Sequence, residues 1–197
     1  MELELLFSES CWRSAVELLE SWRGLELIQP SWMALPAGSA AWLQRLGQWG
    51  HAIDPNWSSE ELRLVGLLWL VPNQNNLLAI AERLQLAHRH QQLLSRSLEL
   101  QSWLQSLNPE TTDDWKASDW TFALEEQGAK TEPITALMLL GPRHQHHTRP
   151  LLRWLLRWRL IQSPVTAKEL MNQGVSAGPA LGTRLKELRA EAINQHA

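Results

Sequence analysis

Apolar residues recur along this chain at intervals of three and four, and no stretch sustains the strict alternation of a half-buried strand. The punctuation between apolar runs predicts a series of short helices. Ser8 or Ser10 is expected to cap a helix running to Trp22 and stopped at Gly24, after which Leu25–Ile28 leads to Pro30. A second helix is expected over Ala40–Trp49, ending at Gly50. Ser58 and Glu61 have capping-box spacing and open a helix that Pro72 ends. A polar turn, Asn73-Gln74-Asn75-Asn76, precedes helices over Leu77–Leu86 and His88–Leu107, the latter stopped by Asn108-Pro109. Residues 109–119 read as loop and divide the chain into a region 1–108 and a region 109–197. Beyond it, Thr121–Gln127 is helical, Pro133 opens a helix to Leu140, and Pro150 opens another reaching Ile161. Thr166 and Glu169 form a second capping box for Ala167–Gln173. Gly174 stands at the left-handed stop, and Pro179 takes the first position of a final helix to Asn194.

Composition sharpens the fold class. There are 38 Leu against 6 Ile, 5 Val, 2 Phe and no Tyr. Leucine is a good helix former, whereas strands draw on β-branched and aromatic residues. The expectation is an all-α, multi-helix bundle of about eight to ten short helices in two sub-bundles. Trp12, Trp22, Trp32 and Trp42 fall ten residues apart, which is not a whole number of helical turns. They read as core or inter-helix filling, not as a repeat.

Cys11 is the lone cysteine, which excludes an internal disulfide and a multi-cysteine zinc site. Beside Trp12 and Arg13 it reads as a buried, inert thiol. Met1-Glu2-Leu3-Glu4 is not a signal-peptide start, and no apolar run reaches about 18 residues. A cytoplasmic setting without membrane contact is expected.

The formal net charge of −3 conceals a local excess. Between Gly141 and Arg189 nine basic residues face only Glu169 and Glu187, a net of +7 that an RNA backbone would feel. Candidate phosphate-binding residues are Arg143, Arg149, Arg153, Arg157, Lys168, Arg184 and Lys186. Arg153 and Arg157 are spaced for one helix face, with Trp154 and Trp158 beside them. Those tryptophans would either stack on bases or fill the core, and the surrounding leucines favour the core. Gly178, Ala180 and Gly182 leave the start of the last helix nearly bare, either to admit a phosphate at its unpaired N–H groups or to let a helical hairpin close tightly. His144, His146 and His147 invite a metal reading, but no carboxylate or cysteine stands near in sequence, so a solvated basic loop is expected and no metal site is assigned. There is no Gly-x-Ser-x-Gly elbow and no phosphate-binding loop of the Gly-x-x-x-x-Gly-Lys-Ser/Thr kind.

The run Ala167-Lys168-Glu169-Leu170-Met171, then Gly174-Val175, then Gly178-Pro179-Ala180-Leu181-Gly182 and Leu185-Lys186, resembles the C-terminal signature of bacterial CCA-adding tRNA nucleotidyltransferases and the related poly(A) polymerases. Lys168-Glu169 stands where an acidic residue often precedes the Leu, and Ala177 replaces the usual first Pro. Glu2–Leu6 with Ala15–Leu19 and Gly24-Leu25 is similar to the neck of these enzymes, and Arg83–Leu86 to their body. The resemblance implies an RNA-binding neck, body and tail that hold tRNA or structured RNA with its 3′ end at a catalytic head. The head's metal-binding Asp-x-Asp does not occur in the sequence, nor does the neck's Glu-Asp pair with a downstream Arg. The expectation is therefore a fragment or separately encoded piece, inactive alone, with no catalytic residues. It would have no cofactor of its own, magnesium belonging to the absent head, which would be supplied in cis or in trans. Two alternatives stay open: a helical protein-interaction module, and one half of a split nucleotidyltransferase.

Overall fold

The computed structural model describes residues 2–127, 131–142 and 147–196. About 70% of the chain is helical and no strand occurs among the described residues, so the protein is all-α. Thirteen α-helices are present among the described residues, more than expected, because several are a single turn. The chain forms two compact units that are not consecutive halves: 1–102 with 132–146, and 103–131 with 147–197.

The first unit contains α1 (Glu2–Ser8), α2 (Trp12–Ser21), α3 (Leu25–Ile28), α4 (Ser39–Ile53), α5 (Ser59–Trp69), α6 (Leu77–Arg83), most of α7 (His88–Ser106) and α10 (Pro133–Leu139). Its centre is α5, apolar on nearly every side, with Leu62, Leu64, Val65, Leu67, Leu68 and Trp69 all buried. The expected capping box is present: Ser58 Oγ accepts from Glu61 N at 3.1 Å, and Ser58 N donates to Glu61 Oε2 at 3.1 Å. α4, α1 and α6 pack around α5, and α10 packs on α4.

Four local expectations are corrected here. An unforeseen helix, α1, ends at Ser8, and the expected first helix is α2, which starts at Trp12 with Cys11 before it and no side-chain cap from Ser8 or Ser10. Gly50 does not end α4, which runs on to Ile53. Gly47 and Gly50 instead admit neighbours: a Cβ on Gly47 would lie 2.9 Å from Ser59 O, and one on Gly50 would collide with Leu62 Cδ1. The tryptophan series also divides: Trp12, Trp32 and Trp42 are core, but Trp22 is 76% exposed. Cys11 is exposed, not buried.

The second unit contains the end of α7, then α8 (Pro109–Thr112), α9 (Ala117–Phe122), a π-helical turn (Ala123–Gln127), α11 (Thr148–Leu156), a 3-10 turn (Trp158–Leu160), α12 (Ala167–Asn172) and α13 (Pro179–Gln195). Helix α9 is its hub, touching α11, α13 and the 3-10 turn. Small buried residues, Ala117, Ser118 and Thr121, let these elements approach. Ser118 N donates to Asn194 Oδ1 and Asn194 Nδ2 to Ser118 Oγ, each at 3.0 Å, which fastens the end of α13 to the start of α9. Residues 109–119, read as loop, thus hold α8 and the first turn of the hub.

Candidate nucleic-acid interface

The C-terminal run folds as its spacing predicts. Thr166 and Glu169 cap α12 reciprocally: Glu169 Oε2 accepts from Thr166 N at 2.7 Å, and Thr166 Oγ1 accepts from Glu169 N at 3.3 Å. The Thr166 N–H first, and the Thr166 hydroxyl, which donates to the same oxygen at 2.8 Å, second, hold the Glu169 carboxyl below its usual range. Gly174 takes φ +95°, and the Val175 amide returns to Leu170 O at 3.0 Å, closing the helix through a left-handed residue. Pro179 starts α13 in its first turn, with Gly178 before it at φ +137°.

The notch at this start is open. Gly178, Pro179, Ala180 and Gly182 are exposed, and a Cβ built on Gly178 or Gly182 would meet nothing within 4 Å. A closed helical hairpin, the alternative for these small residues, would have filled that space.

The cations behind the notch are more engaged than the local charge suggested. Arg189 forms a two-pronged pair with Glu125 at 2.6 and 2.9 Å and donates to Ile161 O at 2.8 Å. Lys186 donates to both oxygens of Glu126 at 2.6 and 2.8 Å. Arg184 pairs with Glu187 one turn on at 2.8 Å. Glu125 and Glu126 come from the π-helical turn, outside the stretch over which +7 was counted, and they offset part of it. Phe122 lies under the same cations, 4.7 Å from Lys186 Nζ and 5.7 Å from the Arg189 guanidinium.

Arg149, Arg153, Arg157 and Lys168 are exposed and have no salt bridge among the described residues. Arg149 and Arg153 stand one turn apart on α11. Arg157 does not continue their row, because α11 stops at Leu156 and Arg157 takes φ −137° and ψ −61°. The expected single helix from Pro150 to Ile161 is therefore broken, and the Arg153–Arg157 ladder with it. Arg143, His144 and His146 lie outside the described residues.

Trp154 and Trp158 are 2% and 3% exposed, so they are core and not stacking platforms. Sequence reasoning missed the aromatics that do flank the arginines. A groove of about 550 Å³ is lined by Arg149 and Arg153 together with Asp113, Trp115, Trp120 and Trp158. Trp115 and Trp120 meet edge-on, with centroids 4.8 Å apart and planes at 69°. Trp120 also lies 5.0 Å from the His147 ring. Trp115 is half-buried and Asp113 is exposed. No sequence signal marked Trp115, which lies in the stretch 109–119 read as loop.

Chemically, then, the second unit carries two exposed guanidinium groups with no salt bridge among the described residues beside an aromatic groove, and an open helix start. No family model, curated protein or solved structure matches this chain. No described helix is long and apolar enough to cross a membrane.

Proposed function

We propose that the chain binds structured RNA, tRNA foremost, through its second unit, and that it serves a nucleotidyltransferase head of the CCA-adding or poly(A) polymerase kind. Contact is mainly to backbone phosphate, which positions an RNA without reading its sequence. The observation that carries this reading is that Arg149, Arg153, Arg157 and Lys168 stay exposed without a salt bridge among the described residues, in a chain of net negative charge. Structural proteins normally intersperse such cations with acids. The open start of α13 leaves room for a phosphate at the Ala180 N–H, although Pro179 has no N–H and those of Leu181 and Gly182 already donate to Gly178 O at 3.1 and 3.4 Å; the Gly/Pro spacing of that run carries the resemblance to the nucleotidyltransferase tail. With no Asp-x-Asp in the sequence, nucleotide addition depends on a head outside these residues.

The test is gel shift or filter binding with tRNA across a salt series. The double variant Arg149→Glu, Arg153→Glu is expected to weaken binding tenfold or more at low salt and to flatten the salt dependence. Equal affinity in a folded double variant refutes the surface.

A protein-interaction module is the second reading. It is favoured by the exposed apolar side chains of the first unit: Trp22 at 76%, Leu27 at 85% and Met33 at 68%. Absence of tRNA binding at both low and moderate salt selects it.

A further inference from the structure

We propose that the groove beside Arg149 and Arg153 is a subsite for one unstacked guanine nucleotide, free or presented by an RNA loop. The loop case rests on the RNA-binding reading above; the groove chemistry does not.

Its residues ask for three things at once. Arg149 and Arg153 are exposed, one helical turn apart and without salt bridges among the described residues, so they suit a phosphate. The Trp115 indole is half-buried and braced edge-on by Trp120 at 4.8 Å, so it presents a fixed aromatic face. Asp113, two residues earlier, is an exposed carboxylate on the same groove, and it has no salt bridge among the described residues.

A site for backbone phosphate alone would exclude that carboxylate, because like charges repel. A carboxylate only accepts hydrogen bonds, so the occupant must bring N–H donors as well as an anionic end and a flat ring. A nucleotide combines all three. Among the bases, guanine presents adjacent donors at N1 and N2 that match the two carboxylate oxygens, while uracil has a single N–H. The volume of about 550 Å³ falls within the range of small-molecule sites.

Calorimetric titration of the full chain with guanosine monophosphate, uridine monophosphate and ribose 5-phosphate tests this. Guanosine monophosphate is expected to bind saturably and at least fivefold more tightly than either control. Trp115→Leu should remove most of that advantage and Trp115→Phe should keep it, with circular dichroism confirming the fold. Asp113→Asn, at an exposed position, should lower guanosine monophosphate affinity several-fold and leave ribose 5-phosphate unchanged.

The RNA arm uses hairpins that differ only in a loop guanine or uracil, with the same variants. A guanine preference in either arm that Trp115→Leu and Asp113→Asn abolish supports the subsite. Binding of guanosine monophosphate without hairpin binding assigns the subsite to free nucleotides and sinks only the RNA reading. Hairpins that bind equally, together with guanosine monophosphate no better than ribose 5-phosphate, overturn the subsite while RNA binding stands. Absence of all binding overturns both.

Discussion

His90 shows how one residue can tie pH to stability. It is 2% exposed, with Nε2 3.1 Å from Glu61 Oε1 and Nδ1 buried without a partner among the described residues. Protonation would put an N–H on Nδ1 with no acceptor, and Arg89 already donates to the same Glu61 oxygen. Burial first, and Arg89 second, push the imidazole below its ordinary 6.5, against a smaller opposing pull from Glu4. The unfolded chain thus takes up a proton near pH 6.5 that the folded chain refuses until lower pH. Neutral His90 contributes its full stability above 6.5 and loses it as pH falls from there toward the lowered folded value. Urea melts at pH 7.5 and 5.5 should show a loss of stability on acidification that His90→Gln reduces; equal losses would contradict the assignment. The sequence contained Glu61 as a capping residue, and it is one. That the same carboxylate reaches His90, 29 positions on, was not legible, because side-chain proximity across helices leaves no local pattern.

At the scale of elements, caps and prolines were read well because they act within four residues. Both Ser58–Glu61 and Thr166–Glu169 boxes form, and Pro133 and Pro179 start their helices, whereas Pro150 lies inside α11, which begins at Thr148, and Pro109, read as a stop, opens the one-turn α8. Glycines were read less well, since a glycine that ends a helix and one that admits a neighbour look alike in sequence. Gly47 is of the second kind, and its close neighbour is the backbone oxygen of Ser59, which cannot rotate away. Gly47→Ala gains about 1 kcal/mol of helix propensity. It should nevertheless lower stability by about 1–3 kcal/mol through overpacking of α4 on α5. Thermal melting decides, and a raised midpoint would show that the two helices can move apart at no cost. Broken helices were also hard to foresee. Nothing in Leu151–Ile161 except its Arg and Trp content interrupts the apolar period, yet α11 stops at Leu156 and carries Arg157 off the row.

For the molecule as a whole, charge summed over a sequence window proved a partial guide to charge in space. The basic stretch is real, but Glu125 and Glu126 reach it from some sixty positions upstream and hold Lys186 and Arg189. The Lys186–Glu126 pair is about half-exposed, and such pairs contribute little net stability, so a polyanion can displace it at a cost in affinity; the two-pronged Arg189–Glu125 pair is only 19% and 25% exposed and is held more firmly. Glu125→Gln with Glu126→Gln is therefore expected to tighten tRNA binding several-fold and steepen its salt dependence, read by filter binding over a salt series. Unchanged affinity and slope would place Lys186 and Arg189 off the RNA surface. The all-α class was fully legible, because leucine abundance and three-to-four spacing act everywhere along the chain. The groove was not, since Trp115 and Arg149 are brought together only by the packing of α9 against α11.

The path of the backbone has a practical consequence. Helix α10 and Gly141 belong to the first unit although the second unit's helices precede them in the chain, and Gly141 sits close against the Trp42 ring. Cutting the gene after residue 108 would strip that cover from Trp42 and the α4 face on which α10 packs, and yield a polypeptide with a sticky, unfinished interior. Workers who want the first unit in isolation will have to splice 132–146 back on through a designed linker.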